Sequence, residues 1–443
     1  MATASHIELS LANAGVYHVP GLTSESAKKA NDLLQQNHDK NHMFFNEDGF
    51  HNHIAHHLLT LYALGATPQQ IQHAFDHNSG YQRAKYPVST RNVQDMADRE
   101  KFKKFLGQEK YFHDYEVFFR GEIEAKGWQA VLNEHLFAGD DHAERLLVRM
   151  YAGFYHPIIH LGFGVEFEQP AIIVEALAQA AVHSGWVDDF LLGAEKQAKD
   201  VTTPSKSMVQ LLAECRANDT IKSSPHYDDA NKLRDGIFVR AKEEMTTVAS
   251  QWRVSPPELR KKTAEMINNA AFFAGAAQMP PKAVKFDFFY MHCVNCSIFF
   301  NAFLRQDWLR DAHKCRLLEW KGRMDVALYV SRGSPELREK EIKDYIPKRE
   351  GNGWSEIVGR VDALEDDGHA PKLVRALAHG EAFCQEFETQ KELRGDFPVQ
   401  GDMWLKLGHM AIDSVEGKNP DSKWVRNCGF PKAWEGVQER SRL

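Results

Sequence analysis

Apolar residues recur at helical spacing over long stretches of this chain, and almost nowhere at the alternating spacing of a half-buried strand. Residues 243–279, 283–309, 317–330 and 334–345 carry the 3.6-residue period, divided by Pro256-Pro257, Pro280-Pro281 and Gly333-Ser334-Pro335. Proline removes a backbone donor and clashes with the preceding turn, so each such site reads as a break between helices. Thr23-Ser24-Glu25-Ser26 caps a helix through about Lys40, and 98–126 continues the pattern with Phe102, Phe105, Leu106, Phe112, Val117 and Phe118. Asp140-Asp141 caps a further helix that Pro157 should kink or end, and Pro170 precedes an apolar helix ending near Trp186. No repeat at a solenoid period is visible, and no stretch reads as a linker. The expectation is a mainly α fold: a single large multi-helix domain over 22–415, with an irregular arm at 1–21 and a tail at 416–443. Residues 200–234, rich in Ser, Thr, Asp, Pro and Lys, read as a surface loop or insertion.

Composition removes several classes of function. A chain of 443 residues that is 43% hydrophobic can bury a large core. Its net charge of -7 and pI of about 6.3, without a Lys/Arg run interleaved with aromatics, argue against nucleic acid as a partner. The apolar run 171–187 is interrupted by Glu175, Gln179, His183 and Ser184, which excludes a membrane span there. The start, Met1-Ala2-Thr3-Ala4-Ser5-His6-Ile7-Glu8, lacks the features of a secretory signal, so a cytoplasmic protein is expected. Ser441-Arg442-Leu443 resembles a peroxisomal address, with arginine for lysine. The six cysteines are scattered and fit reduced thiols better than a disulfide framework.

The chemistry rests on histidine, of which there are 22. A neutral imidazole offers one directed lone pair, which suits iron, zinc and copper. The densest stretch runs from Phe50 to Gly65, with His51, His53, His56 and His57 ahead of an apolar run. It reads as the start of a buried helix with Gly65 as its stop, after which Thr67-Pro68 opens the next one. His53 lies three and four residues from His56 and His57, so geometry leaves the three equal as ligands, against rings that only bond core carbonyls. His156 and His160 form a second pair four apart, with Pro157 between them. His292 stands alone in the aromatic run 288–300, where each ring nitrogen needs a partner. Cys293 and Cys296 have no second pair to complete a zinc site and read as structural. In Asp366-Asp367-Gly368-His369-Ala370-Pro371-Lys372, aspartate caps a helix and puts His369 and Lys372 on one face. A lysine on a core face is costly unless it snorkels, loses its proton, pairs or is modified. Gly162-Phe163-Gly164 lacks the third glycine of a dinucleotide fingerprint, so a flavin or nicotinamide unit is unsupported, and no Gly-x-Ser-x-Gly elbow occurs.

Taken in order, Asn52-His53 with Tyr62-Ala63-Leu64-Gly65, His156-Pro157-Ile158-Ile159-His160, His292 in its aromatic run and His369-Ala370-Pro371-Lys372 resemble the questin oxidase-like family. The likeness spans about residues 40–390. It implies a metal held by His53, His156, His292, His369 and Lys372, the lysine carboxylated by carbon dioxide as in an iron-containing member. His160 falls where relatives can carry arginine. The metal so implied is iron(II), with zinc as the alternative and dioxygen as co-substrate.

The implied activity is an oxygenase that cleaves the central ring of an anthraquinone or its hydroquinone, by dioxygenation or Baeyer–Villiger oxygen insertion, in fungal polyketide biosynthesis. A separate NADPH-dependent reductase would supply reduced substrate. His56, His57, His160, Phe50, Phe163, Phe288 and Tyr290 are the expected substrate contacts, the aromatic rings stacking on a flat molecule. Two other classes compete: a metal-dependent hydrolase using His113-Asp114, and a non-catalytic helical binding protein with a structural metal.

Overall fold

The computed structural model describes residues 1–349, 351 and 353–440. Among these are 22 α-helices and no β-sheet, extended pairing being confined to isolated bridges such as Phe44 with His51. The fold is mainly α, as the apolar period indicates. Caps follow the sequence closely: Thr23 accepts from the Ser26 amide to start Ser24–Lys40, and Thr67 and Gln70 form a reciprocal capping box at Pro68–Ser79.

The residues group into two compact units, each described on its own. The first comprises Met1–Val187, Asn301–Leu309 and Asp362–Lys372. The second comprises Asp188–Phe300, Arg310–Val361 and the described part of Leu373–Leu443. The sequence passes from one to the other at five points, so no single linker separates them.

Three helices build the centre of the first unit. Every residue of Ile54–Ala63 and His156–Glu166 is buried, and so is all of Pro170–Val182 except its first residue. A Cβ on Gly164 would come within 2.7 Å of the Ile173 side chain, so glycine lets His156–Glu166 lie directly against Pro170–Val182. This close approach brings Glu175 to the imidazole of His160, deep in an otherwise apolar layer. In the second unit, Leu259–Ala276, Asp311–Ser331 and Met403–Val415 are largely buried, and Lys321 and Asp325 pair one turn apart with no exposure. The six cysteines are all free and buried.

Several local readings are corrected by the structure. The histidine helix begins at Ile54, so His51 and His53 precede it. The Asn52 side chain accepts from the Ile54 amide and so satisfies an orphan donor of the first turn. The 98–126 stretch is not continuous: short helical turns give way at Gly107, whose φ of +74° ends them, and the regular helix is Phe112–Lys126. Pro157 starts a helix instead of ending one, because the break falls before it, between Asp141–Met150 and His156–Glu166. The apolar helix from Pro170 ends at Val182, short of Trp186. Residues 200–234 contain the helices Met208–Ala217 and Asp219–Ser223, the first held by a Ser207–Gln210 capping box and by burial of Met208, Leu211, Leu212 and Cys215. Within 334–345 only Lys340–Lys343 is α-helical. No described helix is long and apolar enough to cross a membrane, and Ser441-Arg442-Leu443 lies outside the described residues.

Candidate metal centre

Three of the expected ligands converge in the first unit. One ring nitrogen from each of His53, His156 and His369 lies within 4.8 Å of the others, and all three residues are buried. His53 is the residue just ahead of Ile54–Ala63, and its carbonyl accepts from the His57 amide, which ties the ring to the helix start. His156 opens its own helix after Gly153, Phe154 and Tyr155, which have φ of +53°, +55° and +71°. Two consecutive non-glycine residues in the left-handed region are costly, and such strain concentrates at functional sites. Here the turn carries the Gly153 carbonyl to 2.5 Å from His156 Nδ1. His369 begins His369–Glu388, and its Nδ1 lies 2.6 Å from the Asp367 carboxylate. Gly368 has a φ of +97°, and a Cβ there would stand 2.8 Å from His57 Cβ, so glycine is needed both for the turn and for the close approach.

These contacts determine tautomers. A carbonyl or carboxylate only accepts, so His156 and His369 carry their protons on Nδ1 and direct the Nε2 lone pair elsewhere. The other Asp367 oxygen is 3.6 Å from His53 Nδ1, a charge contact beyond hydrogen-bond distance. Yet Nε2 of His53 and Nε2 of His156 are 2.8 Å apart. Two lone pairs at that distance repel unless a proton or cation lies between them. A charged His53 is disfavoured, since burial first, and then the charges of Lys372 and His369, push it down to about 3. Partial burial opposes ionisation of Asp367, but His369 and His53 hold its carboxyl well below the usual range.

Lys372, the fourth expected ligand in the first unit, is buried. It is 3% exposed and its Nζ has no hydrogen-bond partner. Burial pushes the amine down to about 8, against the upward pull of Asp367 and Asp366. An orphaned buried amine whose charge acts on His53, with the outer nitrogens of His156 and His369 engaged, fits a metal site with an oriented outer shell.

The remaining expectations divide. His56 lies against the trio: its ring stacks near His53 at 5.6 Å and on Phe163 at 5.2 Å, and its Nε2 is 3.0 Å from His160 Nδ1. His57 is buried beside Gly368 and pushed down to about 4, chiefly by burial. Phe50 does not join them: it is 45% exposed and packs on Phe45. His292, Phe288 and Tyr290 belong to the second unit, where His292 Nδ1 is 2.6 Å from the Phe288 carbonyl and the Tyr290 hydroxyl donates to the Tyr329 carbonyl. His113 and Asp114 are occupied structurally, the histidine on the Tyr86 carbonyl and the aspartate accepting from Ser89 and Asn92. Both residues of the pair considered for a hydrolase thus have structural partners.

Sequence reasoning missed Asp367 as the carboxylate shared by two histidines, and Glu175, which accepts from His38 and His160 at 2.6 Å each. It also missed His51, stacked on His156 at 3.7 Å, and His183, whose Nε2 is 2.9 Å from that of His51. A glutamate within the apolar run 171–187 was the available signal, because a buried charge requires partners.

Comparison with known proteins identifies the family. The chain is 43% identical over 440 residues to a Baeyer–Villiger monooxygenase of Cryptosporiopsis sp. (strain 8999), covering 98% of both. It is 41% identical over 451 residues to a Baeyer–Villiger oxidase of Pestalotiopsis microspora, covering 99% of this chain and 100% of that one. It is 40% identical over 441 residues to the questin oxidase of Aspergillus terreus (strain NIH 2624 / FGSC A1156), covering 99% and 98%. The pattern of the family described as questin oxidase-like matches residues 50–377, a span that holds His53, His156, His292, His369 and Lys372, and the chain belongs to that family.

Proposed function

We propose that this protein is an oxidoreductase of the oxygenase class that opens the central ring of a hydroxylated anthraquinone, or of its hydroquinone, in fungal polyketide biosynthesis. The names of its relatives support oxidation, including Baeyer–Villiger oxygen insertion. The observation that carries a metal-dependent version is the 2.8 Å approach of His53 Nε2 and His156 Nε2, with the outer nitrogens directed at Asp367 and Gly153. Such an arrangement suits a divalent cation held by rings whose outer nitrogens face an acceptor.

His53, His156 and His369 would hold the cation, and Lys372 would add an anionic oxygen after reacting with carbon dioxide. In that reaction the neutral amine forms a bond to the carbon of carbon dioxide and releases one proton to solvent. The product is a carbamate, which removes the cost of an ammonium beside a dication and supplies a carboxylate-like ligand. Bound iron(II) would supply redox chemistry with dioxygen. Asp367 keeps the rings of His369 and His53 in their ligating orientation. Phe163 stacks against His56 and offers an apolar face to a flat substrate. Burial of His56 and His160 keeps their polar contacts out of water, where they are stronger. If the hydroquinone is the true substrate, a reductase using NADPH must act before this enzyme.

Metal-free protein reconstituted anaerobically with iron(II) or with zinc tests this reading by oxygen uptake on an anthraquinone hydroquinone. Turnover with iron alone is expected; turnover restored by zinc alone overturns it.

A further inference from the structure

Beside the histidine trio, the first unit contains a buried series of hydrogen bonds in which every partner is titratable. Glu175 accepts from His38 Nδ1 through one oxygen and from His160 Nε2 through the other, each at 2.6 Å. His160 Nδ1 then faces His56 Nε2 at 3.0 Å. His38, His56 and His160 are 1%, 0% and 5% exposed, and Glu175 is 7% exposed. Burial opposes ionisation of Glu175, but the hydrogen bonds from His160 and His38 outweigh it and keep the group a carboxylate.

A carboxylate fixes the direction of every bond in the series. Because Glu175 only accepts, His160 carries a proton on Nε2, and as a neutral ring it has a lone pair on Nδ1. That lone pair accepts from His56, which therefore carries its proton on Nε2. His56 Nδ1 is left with a lone pair, and this buried atom has no hydrogen-bond partner. An unmet acceptor in the interior is destabilising unless a ligand or conformational change supplies a donor. The ring that bears it lies next to His53, His156 and Phe163.

We propose that Glu175 is a positioning residue which, through His160, fixes the tautomer of His56 so that His56 Nδ1 receives a phenolic hydroxyl of the substrate. The substrate half of this inference rests on the hydroxylated aromatic proposed above; the tautomer half does not. The hydroxyl donates to His56 Nδ1, and no covalent bond is made or broken. Glutamine at 175 cannot serve, because its amide offers one acceptor and one donor. One imidazole would face an N–H group, and the preference that sets His56 would be lost. Aspartate retains the acceptors and should rescue in part.

Two measurements on the full-length protein test this. Long-range proton–nitrogen spectra of protein labelled with nitrogen-15 histidine, assigned with His56→Phe, should show His56 with bare Nδ1 and protonated Nε2. Glu175→Gln should shift the population toward protonated Nδ1. Protonated Nδ1 in the unaltered protein, or an unchanged His56 signature in Glu175→Gln, overturns the inference. In binding titrations, Glu175→Gln should weaken a hydroxylated anthraquinone about tenfold, the loss of one hydrogen bond, with partial recovery in Glu175→Asp. Unsubstituted anthraquinone should bind both proteins alike. Equal weakening of both probes would show a merely structural role and overturn the proposal. If neither probe binds the unaltered protein, the anthraquinone assignment and the hydroxyl half fall together, while the spectra still decide the tautomer.

Discussion

His53 and His156 are 103 residues apart in sequence, and their Nε2 atoms stand 2.8 Å from each other. The outer nitrogen of His156 meets the Gly153 carbonyl at 2.5 Å, and that of His53 faces Asp367 at 3.6 Å. The inner nitrogens thus face each other, and on the proposed reading a cation would lie beside them. His369 reaches the same place from a helix start that Gly368 folds against His57.

Asp367 serves two of these rings, so its removal should loosen the metal without unfolding the protein. Asp367→Asn leaves one acceptor oxygen and sets an amide N–H group against the other ring. Loss of such an outer-shell partner weakens metal binding by about 10–100-fold. A competition titration against a chelator of known affinity measures this, with circular dichroism confirming that helix content is retained. Unchanged affinity would show that Asp367 does not orient the ligands.

Lys372 should respond to carbon dioxide. Exhaustive removal of bicarbonate is expected to lower activity severalfold, and added bicarbonate should restore it. With carbon-13 bicarbonate, a carbamate resonance should appear in the unaltered protein and be missing in Lys372→Ala. A protein fully active without bicarbonate and free of label would leave Lys372 a plain buried amine.

Buried histidines away from the trio determine how stability changes in acid. Burial pushes His42 and His142 down to about 4 and His183 down to about 3, while unfolded histidine titrates near 6.5. Above 6.5 the groups are neutral in both states. As pH falls from 6.5 toward 4 and then 3, the unfolded chain binds protons that the folded chain refuses, and stability is lost. Thermal unfolding should therefore show a Tm at pH 4.5 at least about 5 °C below that at pH 7. A flat profile over this interval would contradict the burial of neutral imidazoles.

The helices were legible because their signals are local. Thr23, Thr67-Pro68 and Asp140 mark helix starts by capping chemistry, and each does so in the structure. The choice of His53 over His56 and His57 was not legible from spacing, since the helix begins one residue after His53 and the ring approaches from its end. The family resemblance supplied that choice, and the structure groups His53 with His156 and His369. Asp367 was visible only as a capping residue, because its contact with His53 joins residues more than 300 positions apart. Glu175 stood out as a charge in an apolar run, but its partners His38 and His160 were not legible, because they reach it from two other helices.

Metal analysis is the most direct test of the centre. Protein purified without chelators should carry about one equivalent of a divalent transition metal per chain, as expected for a single site. His53→Ala and His156→Ala should each lose most of it while remaining folded. Full metal content in both variants, or full oxygenase activity in protein stripped of metal, would contradict the account.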